Sequence, residues 1–419
     1  MSKFKWEKIL NKKRIRDYKI NKKSSDCRDE FENDYDRILF SASFRRLQDK
    51  AQVFPLEKLD FVRTRLTHSL EVSSIGKSLG ISIGSRLVKK TINYEEKVTI
   101  SMVEDISNIL ACAGLIHDLG NPPFGHFGEV AIREWFKNKL CKNEDGSYNF
   151  KYDKYDFNLD KQEALDLLNF EGNAQGLRIL TKLHFVIDRY GMNLTTGVLS
   201  AIIKYPISSL DKENSNLKKI GYYKAEEKIF KEIAEDTDIW KCRNPLVYIL
   251  EAADDIAYLL GDLEDAFNKK IITHDIFKMK YEEFINSYDE IMDGVYEGDL
   301  ISNSKANKIS LFLRSISKEY VYTNEKIVAN EIVGYNIIHN LLDIFVPAAL
   351  NKEVKPYKGY DGKLYSLISK NYRFVCENNI EQKECSEEYS RLLLVTDFIC
   401  GMTDSYAAYL YEEINGMKA

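Results

Sequence analysis

Proline is scarce in this sequence, with 7 residues in a chain of 419. Few prolines leave the backbone free to form long helices, and apolar residues recur at helical spacing over long segments. We therefore expect an all-α fold. No uninterrupted run of about 18 apolar residues occurs, so no transmembrane helix and no membrane partner are expected. The charged start of the chain lacks the apolar stretch of a secretory signal.

Cysteine is also sparse, and the 7 cysteines are scattered, odd in number and without a C-x-x-C pair. This usage predicts reduced thiols in a cytoplasmic protein, with neither a disulfide framework nor a cysteine zinc site. Positive charge is in slight deficit, since 60 Lys and Arg stand against 65 Asp and Glu, a net charge of −5. A mildly acidic protein is not a general nucleic-acid binder, so a local group of basic residues must hold any anionic ligand.

Residues 1–30 depart from this charge balance. They carry 11 Lys and Arg against 5 Asp and Glu, with Phe4, Trp6 and Tyr18 among them. Such a segment is either a solvated arm or a contact for a polyanion or a neighbouring subunit.

The most informative stretch is residues 114–129, which reads GLIHDLGNPPFGHFGE. His117 ends a helical face formed at spacings of four, three and four by Ile106, Leu110 and Ala113. A lone histidine on such a face is usually a hydrogen-bonded core residue, because an unpaired buried polar group costs roughly 2–7 kcal/mol. The following loop favours a functional site instead, because its glycines and prolines, with Gly120 ending the helix, bring a second histidine, His126, beside the first.

A second inward histidine, His68, opens another predicted helix, in which apolar residues follow it at spacings of four, three and four. Arg63 and Arg65 stand just before it, where cations are unfavourable for the helix dipole. A helix N-terminus with guanidinium groups does suit a phosphate. The alternative is that the two arginines form surface salt bridges.

An Asn-Pro pair, a capping residue followed by proline at the first position, opens a predicted helix over 246–267. Asp254, Tyr258 and Asp262 lie four residues apart and form one polar stripe along it. An acidic stripe is more often a solvated face, but the rest of this helix is so apolar that we expect Asp254, in preference to Asp255, to point inward.

His68, His117, Asp118 and Asp254 therefore come from three predicted helices and offer two imidazoles and two carboxylates. This mixed nitrogen and oxygen set suits a divalent first-row metal with positions left open for water. Structural zinc more often recruits cysteine.

His126 and Glu129 lie one helical turn apart and outside that set. A carboxylate at this spacing can orient an imidazole and raise its basicity, which predicts a general acid/base pair.

Three other segments carry weaker signals. Residues 140–162 and 205–224 are polar and rich in tyrosine, which predicts loops or short helices on the surface, over the site. Residues 170–178 place polar residues at the start of an apolar helix, where simple capping explains them.

Six motifs occur in order along the chain: RLQxKxQVFP, RTRLTHS, HDLGNPPFGHFGE, FEGNAQG, EAADDIAY and GMTDxYA. Together they resemble the HD superfamily of metal-dependent phosphohydrolases and, within it, the bacterial deoxyguanosine triphosphate triphosphohydrolases (dGTPases). The resemblance is dense from about 35 to 270 and returns at 390–410. One departure lies in the C-terminal half, where the family's G-Y-R reads Gly334-Tyr335-Asn336, which leaves base preference and effector response open.

The resemblance implies an HD-domain helical core with additional C-terminal helices, divided into three parts. These are a basic N-terminal arm and substrate-contacting segment (1–60), the HD phosphohydrolase core (61–270), and a C-terminal helical region packed on the core (271–419).

The resemblance also implies roles for single residues. It makes metal ligands of His68, His117, Asp118 and Asp254, and a catalytic pair of His126 and Glu129. Its substrate-binding residues are Gln52, Tyr258 and Asp262 for the sugar, with Arg65 and Lys204 for the phosphates.

The implied reaction is hydrolysis of a deoxynucleoside triphosphate, first among them dGTP, to the deoxynucleoside and tripolyphosphate, with Mg²⁺ or Mn²⁺. The implied partners are further copies of the chain, as a hexamer or tetramer, and a single-stranded DNA or nucleotide effector.

Two other hypotheses stay open. One is another HD-type nucleotide phosphohydrolase, acting on a nucleoside monophosphate or an alarmone. The other is a nucleotide-sensing, nucleic-acid-binding regulator that keeps the HD site for binding, which the basic residues of 1–30 support. Turnover separates them, because a sensor predicts tight binding without product.

Overall fold

The structure, a computed structural model, describes residues 5–16, 27–56, 59–90, 98–184, 190–240, 242–292 and 305–417. Within these ranges the protein consists of α-helices and one small antiparallel sheet. The mostly helical fold expected from the spacing of apolar residues is therefore confirmed. Phe4 and Tyr18 of the basic N-terminal segment lie outside the described residues.

Helices occur in the N-terminal, middle and C-terminal parts of the chain. The N-terminal part contains α1 (Trp6–Ile9), α2 (Glu30–Leu39), α3 (Ala42–Arg45), α4 (Arg65–Lys90), α5 (Ile100–Ile116) and α6 (Gly125–Lys137). The middle part contains α7 (Lys161–Leu168), α8 (Gly172–Arg178), α9 (Thr196–Ile202), α10 (Ser209–Lys212), α11 (Glu227–Thr237) and α12 (Pro245–Asn268). The C-terminal part contains α13 (His274–Met292), α14 (Lys305–Ile316), α15 (Glu325–Leu350), α16 (Gly359–Leu367), α17 (Lys370–Glu381), α18 (Glu387–Cys400) and α19 (Asp404–Ile414). Short 3₁₀ segments lie at Arg46–Asp49 and Lys224–Glu226, and π-helical segments at Ile179–Leu183 and Ser317–Val321.

Helices α4 and α5 are antiparallel and pack very closely, because glycines line their interface. A Cβ atom added at Gly80 would lie 2.9 Å from Leu110 Cδ1, and one added at Gly114 would lie 2.6 Å from Ser73 Cα. Larger side chains at these positions would push the two helices apart. Helix α12 also packs against α4. The first turn of α4 is thereby held beside the C-terminal end of α5.

The segment after α6 forms a sheet and corrects the expectation of loops or short helices over 140–162. Strands β1 (Leu140–Lys142), β2 (Tyr148–Tyr152) and β3 (Tyr155–Leu159) pair antiparallel in the order β1-β2-β3. Aromatic residues alternate along β2 and β3, and Phe150 stacks on Phe157 with ring centroids 4.9 Å apart. The tyrosines that suggested surface loops instead belong to strands, in which successive side chains point to opposite faces of the sheet.

Helix ends agree with the sequence in most places. Helix α12 begins at Pro245 after the cap Asn244, as expected. Helix α5, however, ends at Ile116 with His117 as its cap, and not at Gly120. Gly120 serves close packing instead, because an added Cβ there would lie 2.0 Å from the Gly172 carbonyl oxygen.

One large hydrophobic core extends through residues from Ile9 to Leu410 and joins all parts of the chain. A second, smaller cluster consists of Phe54, Ala266, Ile272, Ile316, Val321 and Ile327. It links the end of α12 to α14 and to the start of α15. The division of the chain at about 60 and 270 stays a prediction.

The described part of the basic N-terminal segment packs on the protein rather than extending into solvent. Ile9 is fully buried. Arg14 pairs with Glu30 and with the buried Asp34, both at 2.6 Å, and Lys13 pairs with Asp236 at 2.9 Å. Lys13 and Arg14 therefore meet carboxylates of the same chain.

Among the described helices, α15 is long and apolar enough to cross a membrane by length and composition alone. Of its apolar window, 50% is buried inside the protein.

Candidate metal centre and active site

Helices α4, α5 and α12 bring two histidines and two aspartates together. His68 lies in the first turn of α4, His117 and Asp118 follow α5, and Asp254 projects from α12. His68 Nε2 lies 3.1 Å from Asp254 Oδ1, and His117 Nε2 lies 3.5 Å from the same oxygen. The ligand atoms of His68, His117 and Asp118 lie within 4.8 Å of one another. Four residues expected from the sequence to share one site therefore do so.

The ring of His117 has a defined tautomer. Its Nδ1 donates to the Gly114 carbonyl at 2.8 Å, so in the neutral ring the lone pair stands on Nε2. That Nε2 atom is buried and has no hydrogen-bond partner. It faces the oxygens of Asp118 at 3.7 Å and of Asp254 at 3.5 Å, which are also acceptors. A cluster of acceptors facing acceptors fits a divalent cation, which satisfies them all.

The electrostatics agree with this geometry. Burial alone would lower the pKa of His117, but the neighbouring Asp118 and Asp254 carboxylates outweigh it and raise the pKa. Burial would raise the pKa of Asp118, yet the Arg65 guanidinium and His117 hold it well below its ordinary value. The Asp118 and Asp254 carboxylates create a negative potential between the histidines, and a bound cation would neutralise it.

The two adjacent acids of α12 have different surroundings. Asp254 faces the histidines and lies 3.5 Å from Lys204 Nζ. The Asp255 side chain is 56% exposed and pairs with Arg314 at 2.8 Å. The structure therefore brings Asp254, and not Asp255, to the candidate metal centre.

The two arginines before His68 also separate. Arg63 pairs with Glu71 at 3.0 Å, with Asp265 at 2.8 Å and with Glu264. For Arg63 the salt-bridge alternative is the correct one. Arg65 turns inward, is buried, and donates from Nη1 to Asp118, while its Nε is buried without a partner.

His126 lies on the first turn of α6, and Glu129 follows one turn later. His126 Nδ1 and Glu129 Oε2 are 3.1 Å apart, and the His126 side chain is 68% exposed, whereas Glu129 is buried. The other Glu129 oxygen, Oε1, accepts the Gly172 N–H at 2.8 Å. Burial acts to raise the pKa of Glu129, but the bond to His126 and the charge of Lys219 hold it below its ordinary value. The pair is a buried carboxylate that orients an accessible imidazole.

A second carboxylate at this point escaped the sequence analysis. Glu171 precedes α8 but caps no helix N–H, against the expectation of simple capping. It accepts instead from Lys219 at 3.0 Å and from Asn173 at 2.8 Å. Gly172, which follows Glu171, was the sequence signal for close packing at this point, because a Cβ atom there would lie 2.8 Å from Glu129 Oε1. Nothing local in the sequence marked Lys219.

Of the three residues expected at the sugar, Tyr258 and Asp262 lie farther along α12, and Gln52 precedes α4 in the chain. Gln52 has a buried Oε1 without a partner. Asp262 is buried, and this burial raises its pKa to about 7. Tyr322, from the C-terminal half, donates to Asp262 Oδ2 at 3.1 Å and also contacts the Tyr258 hydroxyl. Tyr322 is a further residue that the sequence did not indicate.

Comparison with known proteins gives the setting of this site. The family model of the HD domain matches residues 65–190. A deoxyguanosinetriphosphate triphosphohydrolase-like protein of Listeria monocytogenes is 43% identical, over 99% of this chain and 100% of its own length. A protein of the same description from Synechocystis sp. is 32% identical, over 99% of each chain. A deoxyguanosinetriphosphate triphosphohydrolase of Salmonella typhimurium is 30% identical, over 93% of this chain and 94% of its own.

Proposed function

Because this chain belongs to the deoxyguanosinetriphosphate triphosphohydrolase-like family of HD-domain phosphohydrolases, we propose that it hydrolyses deoxynucleoside triphosphates to the deoxynucleoside and tripolyphosphate. The first candidate substrate is dGTP, which the name of the Salmonella typhimurium relative specifies for that protein.

The observation that carries the proposal is the unpartnered Nε2 of His117. It points at two carboxylates within 3.7 Å, and an inward arginine donates to one of them. The loop that follows Asp118 leads to an exposed imidazole that Glu129 orients. These are the groups that phosphoester hydrolysis uses: a cation site, a phosphate-binding charge and a proton carrier.

We propose that His68, His117, Asp118 and Asp254 hold Mg²⁺ or Mn²⁺, which fits a set of two imidazoles and two carboxylates. When bound, such an ion polarises the α-phosphate and lowers the pKa of water beside it.

Arg65 and Lys204 are proposed to bind the phosphate oxygens. Each already faces one carboxylate of the centre, Asp118 and Asp254 respectively. Both cations retain donors for an anion, since Arg65 carries a fork of five N–H groups and Lys204 three. A triphosphate would therefore meet opposite charge on entry.

His126 is proposed as the acid/base. Glu129 occupies its Nδ1, so Nε2 is left to exchange a proton with the 5′-oxygen or with the attacking water. The exposure of the ring suits contact with a bound substrate.

Gln52, Tyr258 and Asp262 are proposed to contact the deoxyribose. The buried, unpartnered amide oxygen of Gln52 supports this role, because a hydroxyl of the sugar could donate to it. Asp262 retains a carboxyl group that can bond another hydroxyl in addition to Tyr322.

We further propose that the protein is a cytoplasmic homo-oligomer. The family resemblance predicts a hexamer or a tetramer. It also predicts an effector, either a nucleotide or single-stranded DNA. Light scattering with and without nucleotides measures the assembly.

The decisive experiment assays the four dNTPs and GTP with Mg²⁺ and with Mn²⁺, and resolves tripolyphosphate from pyrophosphate. We expect tripolyphosphate, with dGTP hydrolysed fastest. In ¹⁸O-labelled water the label should enter the tripolyphosphate, because attack is at phosphorus. Pyrophosphate as product, label in the nucleoside, or binding without turnover would contradict the proposal.

A further inference from the structure

Two buried, oppositely charged residues cross-link the backbone around the candidate site. Lys50 is 3% exposed, and its ammonium donates to the carbonyl oxygens of Asn121 at 2.6 Å and Cys400 at 2.7 Å. It thereby joins the segment before Gln52 to the loop after Asp118 and to the last residue of α18.

Asp404 completes the connection from the opposite side. Its Oδ2 accepts the Ala51 N–H and its Oδ1 accepts the Phe124 N–H, both at 2.9 Å, and the residue is 3% exposed. Hydrogen bonds to a buried charged group are stronger than neutral ones. Lys50 and Asp404 together, hereafter the clamp, tie three distant segments of the chain into one unit.

The clamp acts on backbone that leads directly into the active site. Phe124 has φ +63°, a left-handed conformation that is uncommon for a bulky residue. It is the cap of α6 and makes no side-chain cap bond, and His126 follows two residues later. The Asp404 carboxylate is therefore what holds the Phe124 N–H at the start of this helix.

The other arm of the clamp holds backbone beside Gln52 and near the start of α4. Ala51, held by Asp404, directly precedes Gln52. The Lys50 carbonyl accepts the Arg65 N–H at 2.9 Å, at the first residue of α4. The hydrogen bonds of the clamp go to backbone atoms of residues 51, 121, 124 and 400, none of which is a candidate metal ligand.

We propose that Lys50 and Asp404 are positioning residues for the hydrolysis, holding the start of α6 so that His126 meets the scissile bond. This inference rests on the proposed function. It predicts that breaking the clamp lowers kcat through His126 and leaves the metal centre intact.

The test compares two clamp variants with two matched controls. Lys50→Met and Asp404→Asn break the clamp. Lys182→Met removes another buried lysine that donates to a carbonyl, that of Ala225 at 2.6 Å. Asp166→Asn alters another buried aspartate that accepts a backbone N–H, that of Lys224 at 2.7 Å. Neither control touches the segments joined by the clamp.

We expect kcat to fall about 10²-fold in each clamp variant, since small misplacements of a reacting group cost that much. Mn²⁺ affinity measured by calorimetry should change less than about threefold. The controls should lose thermal stability but keep kcat within about twofold. In a His126→Ala background the clamp substitutions should cost no further activity, because they act through His126.

A readout independent of turnover is the ¹H–¹³C spectrum of the histidine side chains, with the His126 signal assigned by its loss in His126→Ala. The clamp variants should shift or broaden that signal, and the controls should leave it in place. The proposal would be overturned if the clamp variants left the His126 signal in place or kept kcat unchanged. It would also be overturned if the clamp substitutions lowered kcat equally in the wild type and in the His126→Ala background. Unfolding of both clamp variants while both controls stay folded would likewise overturn it. Absence of turnover in the wild type would instead overturn the proposed function, and the spectrum would still test the clamp.

Discussion

Two buried charged clusters of this protein differ in how their polar atoms meet. Around Arg178, donors face acceptors: its guanidinium donates to both oxygens of Asp397 at 2.7 Å and to Glu226 at 2.6 Å. Around His117, acceptors face acceptors, and its Nε2 has no partner. In the first cluster all three guanidinium nitrogens donate to carboxylates, although Glu226 Oε2 lies buried without a partner. The second cluster leaves the buried Nε2 of His117 facing carboxylate oxygens, an arrangement that a bound cation would satisfy and that is typical of a binding site.

The largest expected effect comes from breaking the His117 cluster. Asp254→Asn or His117→Ala should lower activity by on the order of 10⁴, as when one member of a catalytic unit is removed, and should abolish Mn²⁺ binding by calorimetry. The melting temperature should stay the same or rise, because crowded acceptors are relieved. The matched control is Asp255→Asn, which should stay active because that side chain is 56% exposed. An inactive Asp255→Asn beside an active Asp254→Asn would reverse the assignment.

The next effect concerns His126, which lies outside the proposed metal ligands. His126→Ala should lower kcat by about 10²–10⁴, the usual contribution of a positioned acid/base, with little change in metal affinity. Glu129→Gln should have a smaller effect in the same direction, since it orients the ring. The double variant should be scarcely slower than His126→Ala alone. Loss of metal from His126→Ala would make this histidine a ligand.

The Arg178 cluster should respond in stability and not in chemistry. Arg178→Met leaves Asp397 and Glu226 as buried charges without their cation, which typically costs about 3–5 kcal/mol. Chemical denaturation should show this loss, while the folded variant keeps kcat within about twofold. Arg63→Met, which removes a partly exposed cation, is the control and should cost about 1 kcal/mol or less. A stable but inactive Arg178→Met would place this cluster in the catalytic machinery.

The smallest effect is a pH dependence at a structural acid. Burial raises the pKa of Asp166 to about 7, while in the unfolded chain it is about 3.9. The stability that its protonation contributes is present in full below the unfolded pKa and is lost as pH rises to about 7. Asp166→Asn lacks this contribution, so it should destabilise the protein more at pH 5 than at pH 8, by about 2 kcal/mol. Melting curves at the two pH values measure the difference. An equal loss at both would mean that Asp166 is ionised throughout.

The sequence was most informative where the physical cause is local. Helical spacing indicated the inward faces of His68, His117 and Asp254, because a period of 3.6 needs no knowledge of tertiary structure. The small sheet was missed because alternation over five residues of β2 is too short to outweigh the polar composition. The roles proposed for Gln52 and Lys204 came from the family resemblance and stay predictions.

Other residues could not be found from sequence because their partners are remote along the chain. Tyr322 meets Asp262 across 60 residues, Lys219 meets Glu171 across 48, and neither has a local periodicity that distinguishes it. The split between Arg63 and Arg65 was likewise undecidable, since both precede the same helix and only the fold supplies Glu71, Glu264 and Asp265 to one of them.

The clamp has a consequence for the order in which this enzyme is made. Lys50 bonds the Cys400 carbonyl across 350 residues, and Asp404 bonds Phe124 across 280. A chain emerging from the ribosome has produced all the candidate metal ligands when residue 254 appears, but it lacks Asp404 until almost its last helix is synthesised. Because one hydrophobic core joins residues from Ile9 to Leu410, the proposed active site is complete only when the last helices have been made and packed.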